Sequence, residues 1–366
     1  MPPRRETLRT ADRLRAAFGT SAFSSAAGMA LGLSARQLEQ AARSGSIVRI
    51  RRGLYVASSD PAHGHLGLLC DATQRLTGQG TEVAVMARSA ASLWGIGYVA
   101  PHPELVASPA TLAIPSTSSH RAGCRAGLQL RKIDIPPAHV TDWVGGLRVT
   151  TPLRTGIDLA HDFRKTPRHA LAVMCLAMRC DIEQSLGLTD ARQVSRALDT
   201  GDRVSFRVAE LLHILDEANL RGGQALTAYV EQTNPALENP FEALSWASFV
   251  LSGIALPACQ KWVQGASGRW YRVDFLWPAL GLIGEADGAV KYGTPAEVMA
   301  EKRRQADLEA AGYRFVRWIW EDVVPTPQPM IRRVERAMAE CSAGKHRPTG
   351  VGSALIAPEI AKYRGL

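Results

Sequence analysis

The chain has 366 residues, 46% hydrophobic and 21% charged, enough apolar content for two or three domains with their own cores. Its Arg-rich N-terminus lacks an apolar h-region, no apolar run approaches the about 18 residues needed to span a bilayer, and the six cysteines are scattered without a CxxC pair; the sequence thus predicts no secretion, no membrane insertion, no zinc site or disulfide framework, and a cytoplasmic protein. The net charge of +9 is uneven: residues 1–55 hold ten Arg against three acids, a small basic end on a nearly neutral body, which is the electrostatic footprint of nucleic-acid binding.

Within that basic end, Ser24–Ala30 predicts a short helix, Leu31-Gly32-Leu33 a turn, and Ser34-x-x-Gln37 a capping box opening a helix that runs to about Ser44 and stops at Gly45. Leu33, Leu38 and Ala41–Ala42 fall on the inward face of this helix, and Arg36, Gln37, Gln40 and Arg43 on the outward face. Ile47–Ile50 and Leu54–Val56 then flank Arg51-Arg52-Gly53 as a basic hairpin that also carries Arg49. Helix, turn, helix and basic wing predict a winged helix-turn-helix over 1–57, with its second helix in the major groove and the wing on phosphate; Arg36, Gln37, Gln40, Arg43, Arg49, Arg51 and Arg52 are the candidate DNA contacts. The segment GLSARQLEQAARSGSIVRIRRGLYV resembles the N-terminal domain of AbiEi-type antitoxins. That resemblance implies a transcriptional repressor of a type IV toxin-antitoxin system, with DNA and a toxin as partners.

Beyond a linker at Ser58-Ser-Asp-Pro61, residues 62–230 predict a mixed, mostly helical middle region. Helices are expected at His63–Leu76 and Ala87–Trp94, and strands at Thr111–Ile114, Leu128–Leu130 and Leu147–Thr151, with helical patterns from Pro167 to about Tyr229. Ala87–Trp94 and the segment Pro152-Leu-Arg154-Thr-Gly-Ile-Asp158 resemble the SAAxLWGL and TPxRTxxDLA segments of the same antitoxin-like proteins. Arg154 and Asp158, four apart on a helix, read as an ion pair, and Cys175 and Cys180 as core residues. No Walker-type glycine loop, HExxH pair or ordered triad is present, and the nine dispersed His carry no role.

The C-terminal region, 231–341, begins at the Asn234–Pro240 linker. Phe241–Leu251 predicts a helix with Glu242 in its first turn, where the helix dipole favours an acid. Trp270–Trp277 and Leu282–Asp287 flank Pro278-Ala-Leu-Gly281 and predict an antiparallel hairpin. If those four residues are the loop, Trp277 faces Leu282 and counting back sets Asp274 opposite Glu285, with Asp287 on the same face. Two carboxylates about 5 Å apart repel by roughly 3 kcal/mol at an effective dielectric of about 20, a cost that a divalent cation would reverse. Pro295–Ala311 predicts a helix and Tyr313–Trp318 a strand, completing an αβββαβ order.

Val273-Asp274-Phe275-Leu276-Trp277-Pro278 followed by Glu285-Ala-Asp287-Gly-Ala-Val-Lys291-Tyr292 resembles the PD-(D/E)XK nuclease core in its very-short-patch-repair-like form, VDFxWP…ExDGxxKY. The resemblance implies a DNA endonuclease in which Asp274 and Glu285 hold Mg²⁺ or Mn²⁺, Glu242 supports the metal, and a Lys two residues after the Glu activates water. Asp287 stands at that Lys position, leaving Lys291 as the nearby cation. The pattern also departs at Ala243 and Trp246, where the family has Ser and Arg, and at Gln305 and Ala306, where it often has Glu and Asp; Arg303, Arg304 and Arg317 are candidates for holding phosphate.

The resulting expectation is a multi-domain α/β (α+β) protein: winged helix at 1–57, antitoxin-like middle at 62–230, nuclease-like domain at 231–341 and a basic flexible tail at 342–366. Two functions are in play, metal-dependent phosphodiester hydrolysis through Asp274, Glu285, Asp287, Lys291 and Glu242, and non-catalytic repression by an antitoxin whose nuclease-like domain is degenerate.

Overall fold

The computed structural model describes residues 5–19, 22–51, 53–97, 109–143, 146–188, 190–198, 202–287 and 295–343. The chain divides into two compact units, Met1–Leu93 with His102–Thr151 and Trp94–Pro101 with Pro152–Leu366. The helices between 152 and 230 are thus grouped with the C-terminal sheet rather than with the strands that precede them.

In the first unit, α1 (Arg5–Phe18), β1 (Ala22–Ser24), α2 (Ser25–Ala30), α3 (Ala35–Arg43), β2 (Val48–Arg51) and β3 (Leu54–Val56) build a winged helix around a three-stranded sheet of order β1-β3-β2. The local chemistry is that expected. Ser24 caps α2, and Ser34 and Gln37 form a reciprocal capping box that satisfies the first free amides of α3. Ala11 and Leu14 of α1 pack with Phe23, Leu33, Leu38, Ala41, Ile47 and Tyr55 into one core. Stacked rings join its elements, Phe18 on Phe23 at 4.6 Å and Phe23 on Tyr55 at 5.9 Å. The three-residue β1 is too short to show in the sequence as a strand; it pairs with β3 and closes the sheet.

Next, α4 (Pro61–Thr77) lies against the wing. A Cβ on Gly64 would sit 2.3 Å from Val48 Cγ1 and one on Gly67 2.6 Å from Ile50 Cδ1, so these glycines let β2 rest on the helix backbone. The remainder of the unit, β4 (Ala84–Val85), α5 (Ala87–Trp94), β5 (Ala110–Ile114), β6 (Gly123–Arg125), β7 (Leu128–Lys132), β8 (Val140–Trp143) and β9 (Leu147–Thr150), supplies a six-stranded sheet of order β6-β7-β5-β4-β9-β8. The middle region therefore contains more sheet than the helical patterns predict. β5, β7 and β9 fall on the three expected strands, while β4, β6 and β8, two to four residues long, are too short to show a period of two.

In the second unit, α6 (Pro152–Asp162), α7 (Pro167–Leu186), α8 (Ala191–Leu198), α9 (Asp202–Ala218) and α10 (Gln224–Val230) precede a domain with the order α11 (Pro240–Ser252), β10 (Ala258–Gln264), β11 (Trp270–Trp277), β12 (Leu282–Ala286), α12 (Pro295–Ala310), β13 (Arg314–Trp318) and α13 (Gln328–Ala343). The sheet runs β10-β11-β12-β13, antiparallel except for the parallel β12–β13 pair. Phe249 of α11 meets Phe275, Trp277 and Trp318 edge-on at 5.6 to 5.7 Å, joining helix to sheet. The buried Trp318 indole donates to Ser245 Oγ at 2.9 Å, so its polar edge is satisfied in the core. Among the described residues, no helix is long and apolar enough to cross a membrane.

Candidate functional site

The winged helix presents its charge on one face of α3. Leu38 and Ala41 are fully buried, and the helical period puts Arg36 and Arg43 on the opposite side, both exposed, with Gln40 exposed beside them. Gln37 is different: its Oε1 accepts from Ser34 N at 2.9 Å and from Ser34 Oγ at 3.0 Å, so this side chain closes the capping box. Arg49, on β2, donates to both carboxylate oxygens of Glu39 at 3.1 Å, and Arg43 Nε lies 3.6 Å from the same carboxylate. Glu39 is the residue the sequence reading missed; its signal was the four-residue spacing to Arg43. Arg51 ends β2, and Arg52 lies outside the described residues.

The C-terminal hairpin has the register expected. Trp277 pairs with Leu282, Leu276 with Ile283 and Phe275 with Gly284, and the same count sets Asp274 opposite Glu285. The loop is a single 3₁₀ turn at Pro278–Leu280. Gln260 joins Glu242 and Asp274, and Glu285 has a separate set of partners. Gln260 Nε2, from β10, donates to Glu242 Oε2 at 3.1 Å and to Asp274 Oδ1 at 3.4 Å. Glu242 also accepts from Glu238 N at 2.8 Å and from Asn239 Nδ2 at 2.5 Å, while Asn239 Oδ1 caps Phe241 N and Glu242 N. Glu242 is thereby built into the start of α11. Burial, followed by the charge of Asp274, pushes the Glu242 carboxyl up to about 7. Burial, followed by Glu285 across the ladder, pushes Asp274 up to about 6, while Ala286 N donates to its Oδ2 at 3.2 Å.

Glu285 is held by arginines. Arg304 Nη2 from α12 lies 2.6 Å from Oε1, and Arg317 Nη2 from β13 lies 2.7 Å from Oε2. Arg304 also reaches Glu301 at 3.1 Å and the Arg272 carbonyl at 3.1 Å; Arg317 reaches Asp287 at 3.2 Å and Glu301 at 2.8 Å. Burial opposes the charge of both guanidiniums, and their acidic partners outweigh it, holding both above the usual arginine value. These two arginines, candidates for phosphate, are counter-ions within the protein. The donor set does not fit a divalent cation: each Glu285 oxygen already accepts from a guanidinium, and two positive charges border the place where a third would sit. Among the described residues, no group of three or more His, Cys, Asp or Glu side chains is arranged to hold a metal ion. Lys291 lies outside the described residues.

Other expectations meet simpler outcomes. Arg154 Nε donates to Asp158 Oδ1 at 3.0 Å within α6, and both side chains are almost completely buried, so the pair belongs to the core rather than to a surface. Cys175 and Cys180 are buried in α7, and burial pushes both thiols up to about 12, which keeps them protonated and poor nucleophiles near neutral pH.

Comparison with known proteins bears on the same segments. Residues 14–58, the core of the winged helix, match a family model described as "Transcriptional regulator, AbiEi antitoxin", and residues 83–202 match one described as "AbiEi antitoxin C-terminal domain". Two curated proteins of Mycobacterium tuberculosis, "Uncharacterized protein MT2308" from strain CDC 1551 / Oshkosh and "Uncharacterized protein Rv2248" from strain ATCC 25618 / H37Rv, are each 26% identical over 310 residues, covering 82% of this chain and 96% of theirs. No solved structure matches. The chain thus carries a segment similar to AbiEi transcriptional regulators in its winged helix and, behind it, a segment similar to the AbiEi antitoxin C-terminal domain.

Proposed function

We propose that the protein is a cytoplasmic, DNA-binding transcriptional regulator of the antitoxin type. In this reading residues 1–57 bind DNA, 62–230 serve a toxin partner, and 231–341 form a non-catalytic accessory domain followed by the basic stretch 342–366. The observation that carries it is the winged helix at the basic end of the chain: the segment with ten of the arginines presents Arg36 and Arg43 on the outward face of α3, and it is this segment that matches the regulator model. Phosphate contacts dominate protein–DNA affinity, so the affinity should reside in this domain. The test is a gel shift of the full chain on a duplex taken from upstream of its own coding region. Arg36→Ala with Arg43→Ala should weaken binding and flatten its salt dependence, and unchanged affinity and slope would remove α3 from the interface.

A second reading, metal-dependent phosphodiester hydrolysis by the C-terminal domain, is favoured by one observation, the αβββαβ order that sets Asp274 opposite Glu285. Against it stands the engagement of Glu285 by Arg304 and Arg317. Incubating supercoiled and linear DNA with the protein in Mg²⁺ or Mn²⁺ against EDTA separates the two readings; metal-dependent cutting that Glu285→Gln abolishes would restore the nuclease.

A further inference from the structure

An acid stands within the basic face of the winged helix. Glu39 occupies α3 between Arg36 and Arg43, and its carboxylate joins two elements: Arg49 from β2 at 3.1 Å to both oxygens, and Arg43, four residues on, at 3.6 Å. The side chains of Glu39 and Arg49 are each little more than one-third exposed and that of Arg43 is 79% exposed, so the group lies at the surface where a duplex would approach.

A carboxylate at such a surface has a definite electrostatic effect. It repels the phosphates of every duplex alike and neutralises cations that would otherwise pair with them, so it lowers sequence-independent affinity. Discrimination is where it gains. A guanidinium held from one side keeps its remaining N–H groups in a fixed plane, as a bidentate contact to the O6 and N7 of guanine requires, and the carboxylate disfavours registers that press backbone against it. A surface ion pair of this sort contributes little to stability, so the effect of this acid is to be read in binding rather than in melting.

We propose that Glu39 is a specificity-determining positioning residue: it holds Arg49 in one orientation, lies close enough to Arg43 to offset its charge, and suppresses sequence-independent phosphate binding. This rests on the DNA-binding function proposed above. The test uses the full chain and a pool of duplexes with a randomised centre, with affinity measured from about 50 to 200 mM salt and bound sequences recovered and read. Glu39→Gln should bind the unselected pool roughly threefold to tenfold more tightly, steepen the salt slope by about one to two, and enrich a weaker motif than the wild type. Arg49→Gln attacks the clamp from the strand side and should lower affinity for the pool while also weakening the motif. The two variants thus change affinity in opposite directions and selectivity in the same direction, a signature that general loss of fold does not give. If the wild type binds the pool and Glu39→Gln matches its affinity, slope and motif, the inference is overturned and the DNA-binding function stands. If the wild type retains no duplex at any of these salt concentrations, the DNA-binding function itself is overturned.

Discussion

Arg304, on α12, places Nη2 2.6 Å from Oε1 of Glu285 on β12, and this single contact changes what the hairpin acids are for. The two opposed carboxylates looked in sequence like a charge conflict awaiting a cation. In the fold the conflict is divided: Glu285 is neutralised by Arg304 and Arg317, and Asp274 is left to be managed by burial, Gln260 and the Ala286 amide.

The first expected outcome concerns that pair. Register alone suggests that Glu285→Gln relieves repulsion; with two part-buried arginine partners the same change removes charge-assisted hydrogen bonds to both, and it should destabilise by about 1.5 to 3 kcal/mol. Thermal or urea unfolding in EDTA measures this. Addition of Mg²⁺ should leave the wild-type melting temperature unchanged, since ligand stabilisation requires preferential binding to the folded state. A large Mg²⁺-induced rise in the wild type, absent in Glu285→Gln, would show a metal site after all.

The second is a pH dependence. Glu242 and Asp274 have folded values of about 7 and about 6, above their ordinary carboxylate values of about 4, so between those limits the folded state holds more protons than the unfolded one. Stability from these two groups therefore falls as pH rises from about 4 to about 7 and is flat above. Glu242→Gln and Asp274→Asn should each reduce this slope, and Asp274→Asn should melt at or above the wild-type temperature near pH 8. Unfolding curves across that range for the three proteins decide it; an identical slope in all three would mean the carboxyls ionise freely in the fold.

The third lies in α6. The Arg154–Asp158 pair is buried almost completely, so removing one partner leaves a charge in the core. Asp158→Asn should cost about 3 to 5 kcal/mol, and replacing both residues with Leu should recover part of the loss. Denaturant midpoints for wild type and the two variants measure both effects; a single variant within about 0.5 kcal/mol of wild type would place the pair among ordinary surface substitutions.

The fourth separates capping from DNA contact. Ser34→Ala removes the acceptor for Gln37 N and should cost about 1 kcal/mol. Gln37→Ala loses the other half of the same box and should lower stability, with little change in DNA affinity once the folded fraction is allowed for. A melt and a gel shift on each variant distinguish the two roles.

The short-range parts of this architecture could be read from the sequence because their causes are short-range. Ser34 and Gln37 are three residues apart, and the Asp274–Glu285 register follows from a four-residue loop and a period of two. The rest depended on partners that no local pattern names. Arg304 and Arg317 come to Glu285 from a helix and a parallel strand that follow it in the chain; Gln260 comes from β10, whose ACQKWVQ sequence has no clean alternation. The two-residue β4 and three-residue β6 exist only because neighbours pair with them. Gln37 shows a different limit: its position on α3 and its spacing from Ser34 support two roles at once, and only the bond to Ser34 decides between them.

The bare backbone of α4 at Gly64 and Gly67 has a mechanical consequence. Atoms of β2 occupy the volume a methyl group would take on that helix, and α4 continues along 17 residues, about 25 Å, to lie against β5 as well. On the helix side the joint is bare backbone, so Val48 and Ile50 pack directly against it with no side chain of α4 between them. Within this unit a change in the tilt of the wing should therefore shift α4 and its seat against β5 as well.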